Sequence, residues 1–417
     1  MTAHRPFVGA LPYGVRDLFL EEAARLTSLE DIWRRLFQAW GYSPIVPPTY
    51  EHYEVLLLGS GVELEEQVFR VLDREGSILA LRSDLTTQVA RIVGTKLHNH
   101  PLPLRFYYLA NVFRYEEPQA GRQREFRQAG VELIGAPGAE ADAEVLLLTI
   151  EALRRAGLRE FQLNVGHLGL FHALASEAGL GPSEAEAVRA CLNRKDVPGL
   201  AEVLGRRAEN GAPYRALLTL PELCGGPEIL DRAASLSSHP SARASIERLR
   251  AIHQVLASRD LAGHVIFDLG ETRGMGYYTG IAFEGFAPRL GFPICSGGRY
   301  DELIARYGPS RPAVGVALLT ERVLLALDGA DASLSRPDLL VAAPVARACW
   351  PELERLRDAG WRVEVDVLDM SEEDLRHLAA ERSIPYLALS AEGERVRLLR
   401  RGVECWLPWQ ALAEGRP

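Results

Sequence analysis

Lysine is almost missing from this sequence. Lys96 and Lys195 are the only two in 417 residues, and arginine carries the remaining positive charge. With no Gly-Lys-Ser/Thr anywhere, a P-loop is excluded. Long apolar runs are missing too: no stretch of 18 uncharged apolar residues exists, so no membrane-spanning helix is expected. Cysteine is sparse. Cys191, Cys224, Cys295, Cys349 and Cys405 are odd in number and widely spaced, with no CxxC. That pattern fits reduced thiols, not a disulfide framework or a zinc site. The ten histidines never fall in HExxH spacing, and His98 and His100 read as solvated loop residues, so no metal is expected. GGRYD (297–301) pairs two glycines without a GxGxxG, and no GxSxG elbow occurs, so neither a dinucleotide site nor a hydrolase nucleophile is supported. The opening MTAHRPFVGALPYG lacks a secretory leader's charged start and apolar stretch; the expectation is a cytoplasmic protein.

What is present is ordinary globular composition, 47% hydrophobic and 25% charged with a net charge of −9. The length suggests two or three domains with a sizeable core. Leu26, Leu29, Trp33, Leu36 and Trp40 recur at three- and four-residue steps, which predicts a helix over 17–40 ended by Gly41. IVPPTYE (45–51) is extended and carries two prolines, which suits an edge or an interface. A strand (78–82) and a helix (86–97) follow. LRFYYLANVFRYE (104–116) and FRQAGVELIG (126–135) flank the polar loop PQAGRQRE, predicting an antiparallel hairpin with a basic loop, and 139–156 is a helix. Residues 170–260 are Ala/Leu/Arg/Glu-rich and read as a helical insertion with no strand. Strand signals return at 264–270, 277–285 and 292–303, and a helix begins within 314–327. DGADASLSRP (328–337) has linker composition. From 338 to 417, strand and helix patterns alternate in a small α/β domain.

Charged and polar groups converge on the extended segments. Arg114 and Glu116 share parity on one strand; Gln128 and Glu132 share parity on the next, so each pair lies on one face of its strand. Periodicity alone favours the plainer explanation, a solvated sheet face with cross-strand Arg/Glu pairs. Two more clusters tip the balance. LRSDLT (81–86) ends a strand in Arg82, Asp84 and Thr86, although Asp84 or Thr86 could simply cap the next helix. RGMGYYTG (273–280) puts Arg273 ahead of Tyr277 and Tyr278. Together these groups suit a zwitterion: an Arg for a carboxylate, acids for an ammonium group and a ring N–H, tyrosines as walls.

In order along the chain, PTYE (48–51), LRSDLT (81–86), FRYEEPQAGRQREFRQAGVELIG (113–135), RGMGYYTGIAFE (273–284), SGGRYDEL (296–303) and PAVGVALLTER (312–322) resemble the histidyl-tRNA synthetase catalytic core, a class II aminoacyl-tRNA synthetase fold. The resemblance spans about residues 10–327, helical insertion included. It implies an α+β protein: an antiparallel sheet flanked by helices over 1–327, with the insertion at about 170–260, a 328–337 linker and a small C-terminal α/β domain over 338–417.

Two functions compete within that superfamily. One is the synthetase, which makes histidyl-adenylate and charges tRNA. The other is the regulatory subunit of short-form ATP phosphoribosyltransferase, a paralogue without aminoacylation activity. LPYGVRDL (11–18), LRSDLTTQVAR (81–91), LNVGHLGLF (163–171) and RKDVPGL (194–200) look like the regulatory subunit. Synthetases typically read RPEGT where this chain has Arg82–Thr86, so Asp84 stands in for a Glu and Leu85 for a Gly. Leu319 fills a motif 3 position that is glycine in synthetases, near the adenosine, and Gly276 replaces an Asp. Arg114, Arg273 and Arg322 are retained. Residues 338–417 hold 11 Arg against 15 Asp and Glu, a poor surface for tRNA phosphates. The resemblance implies a non-catalytic subunit with no catalytic residue, metal or cofactor of its own. Its partner would be the short-form catalytic subunit. Histidine would be its effector, and it would dimerise around Pro48 and the first helix inside a hetero-oligomer. Histidine would meet Asp84 and Thr86 through its ammonium group, Arg114 and Gln128 at its polar end, and Glu132 within the pocket. Arg273 would face the carboxylate, with Tyr277 or Tyr278 near the imidazole.

Overall fold

The structure is a computed structural model. It describes residues 9–59, 66–115, 123–205, 211–272, 276–327, 336–400 and 402–414. The chain divides into two compact units, Met1–Ala330 and Asp331–Pro417.

The first unit is built on a nine-stranded sheet. In chain order its strands are β1 (Ser43–Pro44), β5 (Leu104–Phe113), β6 (Glu125–Ile134), β7 (Gln162–His167), β8 (Cys224–Gly225), β9 (Val265–Asp268), β10 (Ile281–Phe286), β11 (Cys295–Arg299) and β12 (Ala313–Leu319). Their spatial order is β1-β5-β6-β12-β11-β10-β7-β9-β8. The expected antiparallel sheet is antiparallel through its centre, but β1–β5 and β7–β9 pair in parallel, so the whole is mixed. A separate small sheet joins β2 (Tyr50–His52), β4 (Ile78–Leu81) and β3 (Arg70–Leu72).

Alternation divides the two faces of the central sheet. On β6, Ala129, Val131 and Leu133 are fully buried against one side. Their partners there include Leu29, Trp33, Leu36 and Phe37 of helix α1 (Leu20–Ala39), the helix the periodicity predicts. Trp33 also donates its indole N–H to the Ala152 carbonyl at 3.0 Å, tying α1 to the long helix Ala139–Arg155. Gly41, at φ +81°, supplies the left-handed residue just past the end of α1. The even residues of β6, Gln128 and Glu132, point the other way, toward the opposite face of the sheet.

One expectation needs correction. The insertion is mostly helical, but Cys224–Gly225 forms a short edge strand on β9, pairing Cys224 with Asp268. Two residues carry no readable periodicity, and the pairing partner lies more than forty residues downstream. The helix expected to begin within 314–327 starts at Thr320 and runs to Ala326, preceded by β12, which ends at Leu319. Its apolar run is buried in the middle of a sheet, where strand and helix patterns look alike.

The second unit carries a five-stranded sheet in the order Val363–Val365, Leu339–Val341, Tyr386–Glu392, Arg395–Arg400, Val403–Pro408. The first three strands are parallel and the rest antiparallel. It has its own core, with Trp361, Leu387, Val396 and Trp409. Among the described residues no helix is long and apolar enough to cross a membrane.

Candidate functional site

Seven of the eight residues read from the sequence are described, and they lie together; Arg273 lies outside the described residues. Asp84, Thr86, Arg114, Gln128, Tyr277 and Tyr278 line one cavity on the even face of the sheet, joined by Ser296, Tyr300, Gly315 and Ala317. Glu132 sits just beneath it, almost wholly buried.

Register explains the convergence. β5 and β6 pair so that Ala110 faces Gln128 and Phe106 faces Glu132. β12 lies on the other side of β6, with Gly315 opposite Glu132 and Leu319 opposite Gln128. β11 adds Ser296 opposite Ala317. Directly opposed residues share a face, so these side chains form one floor. Gly315 is required there: a Cβ on it would stand 1.8 Å from Glu132 Oε2.

Glu132 is the most heavily bonded group. Its Oε1 accepts from the Thr86 hydroxyl at 2.7 Å and from Tyr108 at 3.4 Å. Its Oε2 accepts a short hydrogen bond from Tyr300. Burial pushes its carboxyl up to about 7 despite these donors, and the nearby Asp84 charge pushes the same way. Burial raises Asp84 as well, opposed by the Arg114 guanidinium. Asp84 accepts from Tyr277 at 3.1 Å and from the Thr87 N–H at 3.3 Å. Asp84 therefore serves both readings, cap and cavity lining, whereas Thr86 spends its hydroxyl on Glu132. Arg114 donates its Nε–H to the Ser83 carbonyl at 2.9 Å and lies 5.3 Å from the Phe126 ring centre. The Gln128 Oε1 is buried with no hydrogen-bond partner. An orphaned buried acceptor of that kind calls for a donor.

Tyr277 packs edge-on against both Tyr278, at 5.2 Å, and Tyr300, at 5.9 Å. Sequence reasoning missed Tyr300 and Tyr108 as site residues. Tyr108 shares the even parity of Arg114, which was a usable signal. Tyr300 lies 168 residues from Glu132 in sequence, beyond the reach of any local pattern.

The cavity is small, about 20 Å³, room for roughly one water. A second small cleft, about 110 Å³, is lined by Phe126, Leu319, Glu321 and Arg322. It falls below the roughly 300 Å³ at which ordinary ligand pockets begin. Arg322 is already engaged, donating to the Pro293 carbonyl at 2.9 Å with its guanidinium 5.1 Å from the Phe292 ring centre. Among the described residues no cluster of His, Cys, Asp and Glu is arranged to hold a metal.

Fold and cavity together define a protein of the histidyl-tRNA synthetase-like class. The histidyl-tRNA synthetase family model matches residues 14–323. A histidyl-tRNA synthetase from Nostoc sp. PCC 7120 superposes with a TM-score of 0.82 over 97% of this chain and 98% of that one; at 20% identity it speaks for the fold alone. Sequence comparison narrows the class. The ATP phosphoribosyltransferase regulatory subunit of Desulforamulus reducens is 44% identical over 82% of this chain and 85% of its own. That of Syntrophotalea carbinolica is 39% identical over 97% of this chain and 96% of its own. A solved structure from Bacillus halodurans, described as an ATP phosphoribosyltransferase regulatory subunit/histidyl-tRNA synthetase, is 31% identical with a TM-score of 0.80, covering 90% of this chain and 97% of that one. The chain belongs to the family of ATP phosphoribosyltransferase regulatory subunits.

Proposed function

We propose that this chain is the non-catalytic regulatory subunit of short-form ATP phosphoribosyltransferase, required for that enzyme's activity and for its feedback by histidine. One observation carries the non-catalytic reading beyond family membership. Leu319, directly opposite Gln128 on the sheet, lines the cleft where the synthetase resemblance puts the adenosine. A leucine there fills space that an activating enzyme needs for ATP.

The amino-acid end keeps its polar set, and histidine is the ligand it fits. Asp84 offers a carboxylate to the ammonium group, Gln128 an unsatisfied acceptor, and Glu132 a partner for an imidazole N–H. Arg114, and Arg273 by resemblance, stand for the carboxylate. The cavity of about 20 Å³ does not hold histidine as it is. Binding therefore requires side chains such as the half-buried Tyr278 to move aside. A ligand that binds an opened form better than a closed one shifts the balance between them, which is what a regulator needs.

The partner is the short-form catalytic subunit, in a hetero-oligomer within which this chain dimerises through the segment around Pro48 and α1. Arg82 and Gln88 both donate to the Pro48 carbonyl, holding the segment firmly, while Val46 and Tyr50 beside it are exposed. The protein works in the cytoplasm.

The test pairs two assays. Purified chain with histidine, ATP and labelled pyrophosphate gives no exchange into ATP on this reading; robust histidine-dependent exchange makes it a synthetase. Added to a short-form catalytic subunit, the chain co-elutes with it and raises its rate, and histidine lowers that rate. No co-elution and no rate effect sinks the regulatory role.

A further inference from the structure

A cleft of about 710 Å³ in the first unit lies outside the amino-acid cavity and shares Arg16, Glu321 and Leu325 with the cleft beside Leu319. Four arginines from four separate stretches of chain converge on it. Arg16 comes from the lead-in to α1 and Arg25 from α1 itself. Arg159 comes from the loop after helix Ala139–Arg155, and Arg289 from the turn between β10 and β11. One wall is apolar, made by Leu324 to Leu327 at the end of the helix that follows β12.

Most well-placed arginines here are spent on carboxylates: Arg91 on Glu51, Arg105 on Glu144, Arg127 on Glu30, Arg248 and Arg299 on Asp142. In this cleft they are not. Arg25, Arg159 and Arg289 have no hydrogen bond or ion pair with any described residue, and Arg16 reaches Glu22 only at 4.0 Å. Three acids share the lining. Glu22 is the ion-pair partner of Arg16, whose charge also reaches Glu321. Glu321 is committed to the sheet, both its oxygens accepting from the Arg127 N–H at 3.0 Å. Among the described residues that leaves Glu160 as the single unpaired acid against three unpaired guanidiniums. Arg289 adds a conformational signature. It sits at φ +66°, a left-handed conformation that costs a residue with a Cβ about 1 kcal/mol and that glycine would adopt freely. Strain of this kind collects where a side chain is held for a purpose.

We propose that this cleft binds a polyphosphate group. Guanidiniums grip phosphate oxygens with paired donors, and four of them from separate segments match an anion with several phosphates better than a lone carboxylate. The volume is that of an ordinary ligand pocket. The same chemistry could arrive as free polyphosphate or as the tail of a nucleotide lying on the leucine wall.

The experiment is calorimetric titration of the full chain with sodium tripolyphosphate at low salt, without divalent cations. Saturable binding is expected, weakening steeply as salt rises. The double variant Arg25→Gln/Arg159→Gln should bind at least tenfold more weakly, as should Arg159→Gln/Arg289→Gln, whose changes are both at exposed positions. Histidine binding should be unchanged in both, which shows that they are folded. ATP titrated in parallel separates the sources: tighter binding than tripolyphosphate assigns the cleft to a nucleotide, equal binding to free polyphosphate. No saturable heat up to millimolar tripolyphosphate, or equal affinity in wild type and variants, overturns the proposal. Neither result touches the role proposed for the amino-acid cavity, which is tested by its own ligand.

Discussion

The amino-acid cavity and the cleft beside Leu319 share one sheet face and one strand pair, yet they have gone different ways. At one end the residues are polar, bonded to each other and poised around an orphaned Gln128 oxygen. At the other a leucine lines the space and Arg322 is tied to the Pro293 carbonyl. Directly opposed residues of β6 and β12 mark the divide: Gln128 leaves an acceptor open, and Leu319 opposite it is the residue that, on the proposed reading, fills the nucleotide's place. On the proposed reading a cleft loses one substrate and keeps the other through a change on a single strand, because alternation lets each position be altered without disturbing the core behind it.

The sharpest way to break this contrast is Glu132→Ala. The change leaves the hydroxyls of Thr86, Tyr108 and Tyr300 without their shared acceptor and removes the group proposed to meet the imidazole. A lost buried charge-assisted partner costs about 2–3 kcal/mol, so histidine affinity by calorimetry should fall about a hundredfold. Unchanged affinity places the effector elsewhere.

Leu319→Gly probes the other end. Leu319 is only 7% exposed, so its removal should cost about 2–4 kcal/mol of stability in a denaturant melt. Histidine affinity should hold within a few-fold, and adenosine nucleotides should bind better than to the parent. A loss of histidine binding equal to that of Glu132→Ala would mean that the two ends are not separable.

How much of this was legible in the sequence depends on distance along the chain. The hairpin of β5 and β6 and the amphipathic α1 are local patterns, and the residues they carry, Arg114, Gln128 and Glu132, could be placed on faces by parity alone. Asp84 and Thr86 lie on a short strand-to-helix turn that reads clearly. What periodicity cannot give is which distant segments meet. The Tyr300 hydroxyl bonds Glu132 across 168 residues, and Tyr277 bonds Asp84 across 193. The glycine-flanked pair after Arg273 brought Tyr277 into the set without showing its partner; Tyr300 stayed in a motif with no role. The need for Gly315 is equally invisible, since it exists only because Glu132 fills the space a Cβ would take.

The acidity of the cavity offers a third test. Glu132 is raised to about 7 from an ordinary 4.5, so between those values the folded chain holds a proton that the unfolded chain has lost. Stability attributable to this group therefore falls as pH rises through that window, by at most about 1.4 kcal/mol per pH unit, and is flat above it. His167 works the other way. Burial, with Arg248 and Arg299 nearby, lowers it to about 3, so its contribution grows as pH rises toward 6.5. The whole-protein profile mixes these with other shifted groups, among them Asp84 and Glu321, both raised by burial, and His172, lowered by burial. The difference between wild type and Glu132→Gln, measured by denaturant melts from pH 4.5 to 7.5, isolates the carboxyl. A difference that does not change with pH means that Glu132 is ionised throughout.

The smallest effect is expected from Tyr277→Phe, and it tests how finely the retained end is built. The substitution removes only the hydroxyl that reaches Asp84 at 3.1 Å, leaving the ring and its edge-on packing with Tyr278 and Tyr300. A hydrogen bond to a charged group contributes about 1.5 kcal/mol net, but Asp84 keeps the Thr87 N–H at 3.3 Å, and part of the loss is recovered when a free carboxylate oxygen turns to the ligand's ammonium group. Histidine affinity should change by no more than about fivefold, while a melt shows a loss of about 1 kcal/mol. If affinity falls as far as in Glu132→Ala, Tyr277 holds the ligand itself, and the cavity is organised around the aromatic wall instead of the buried acid.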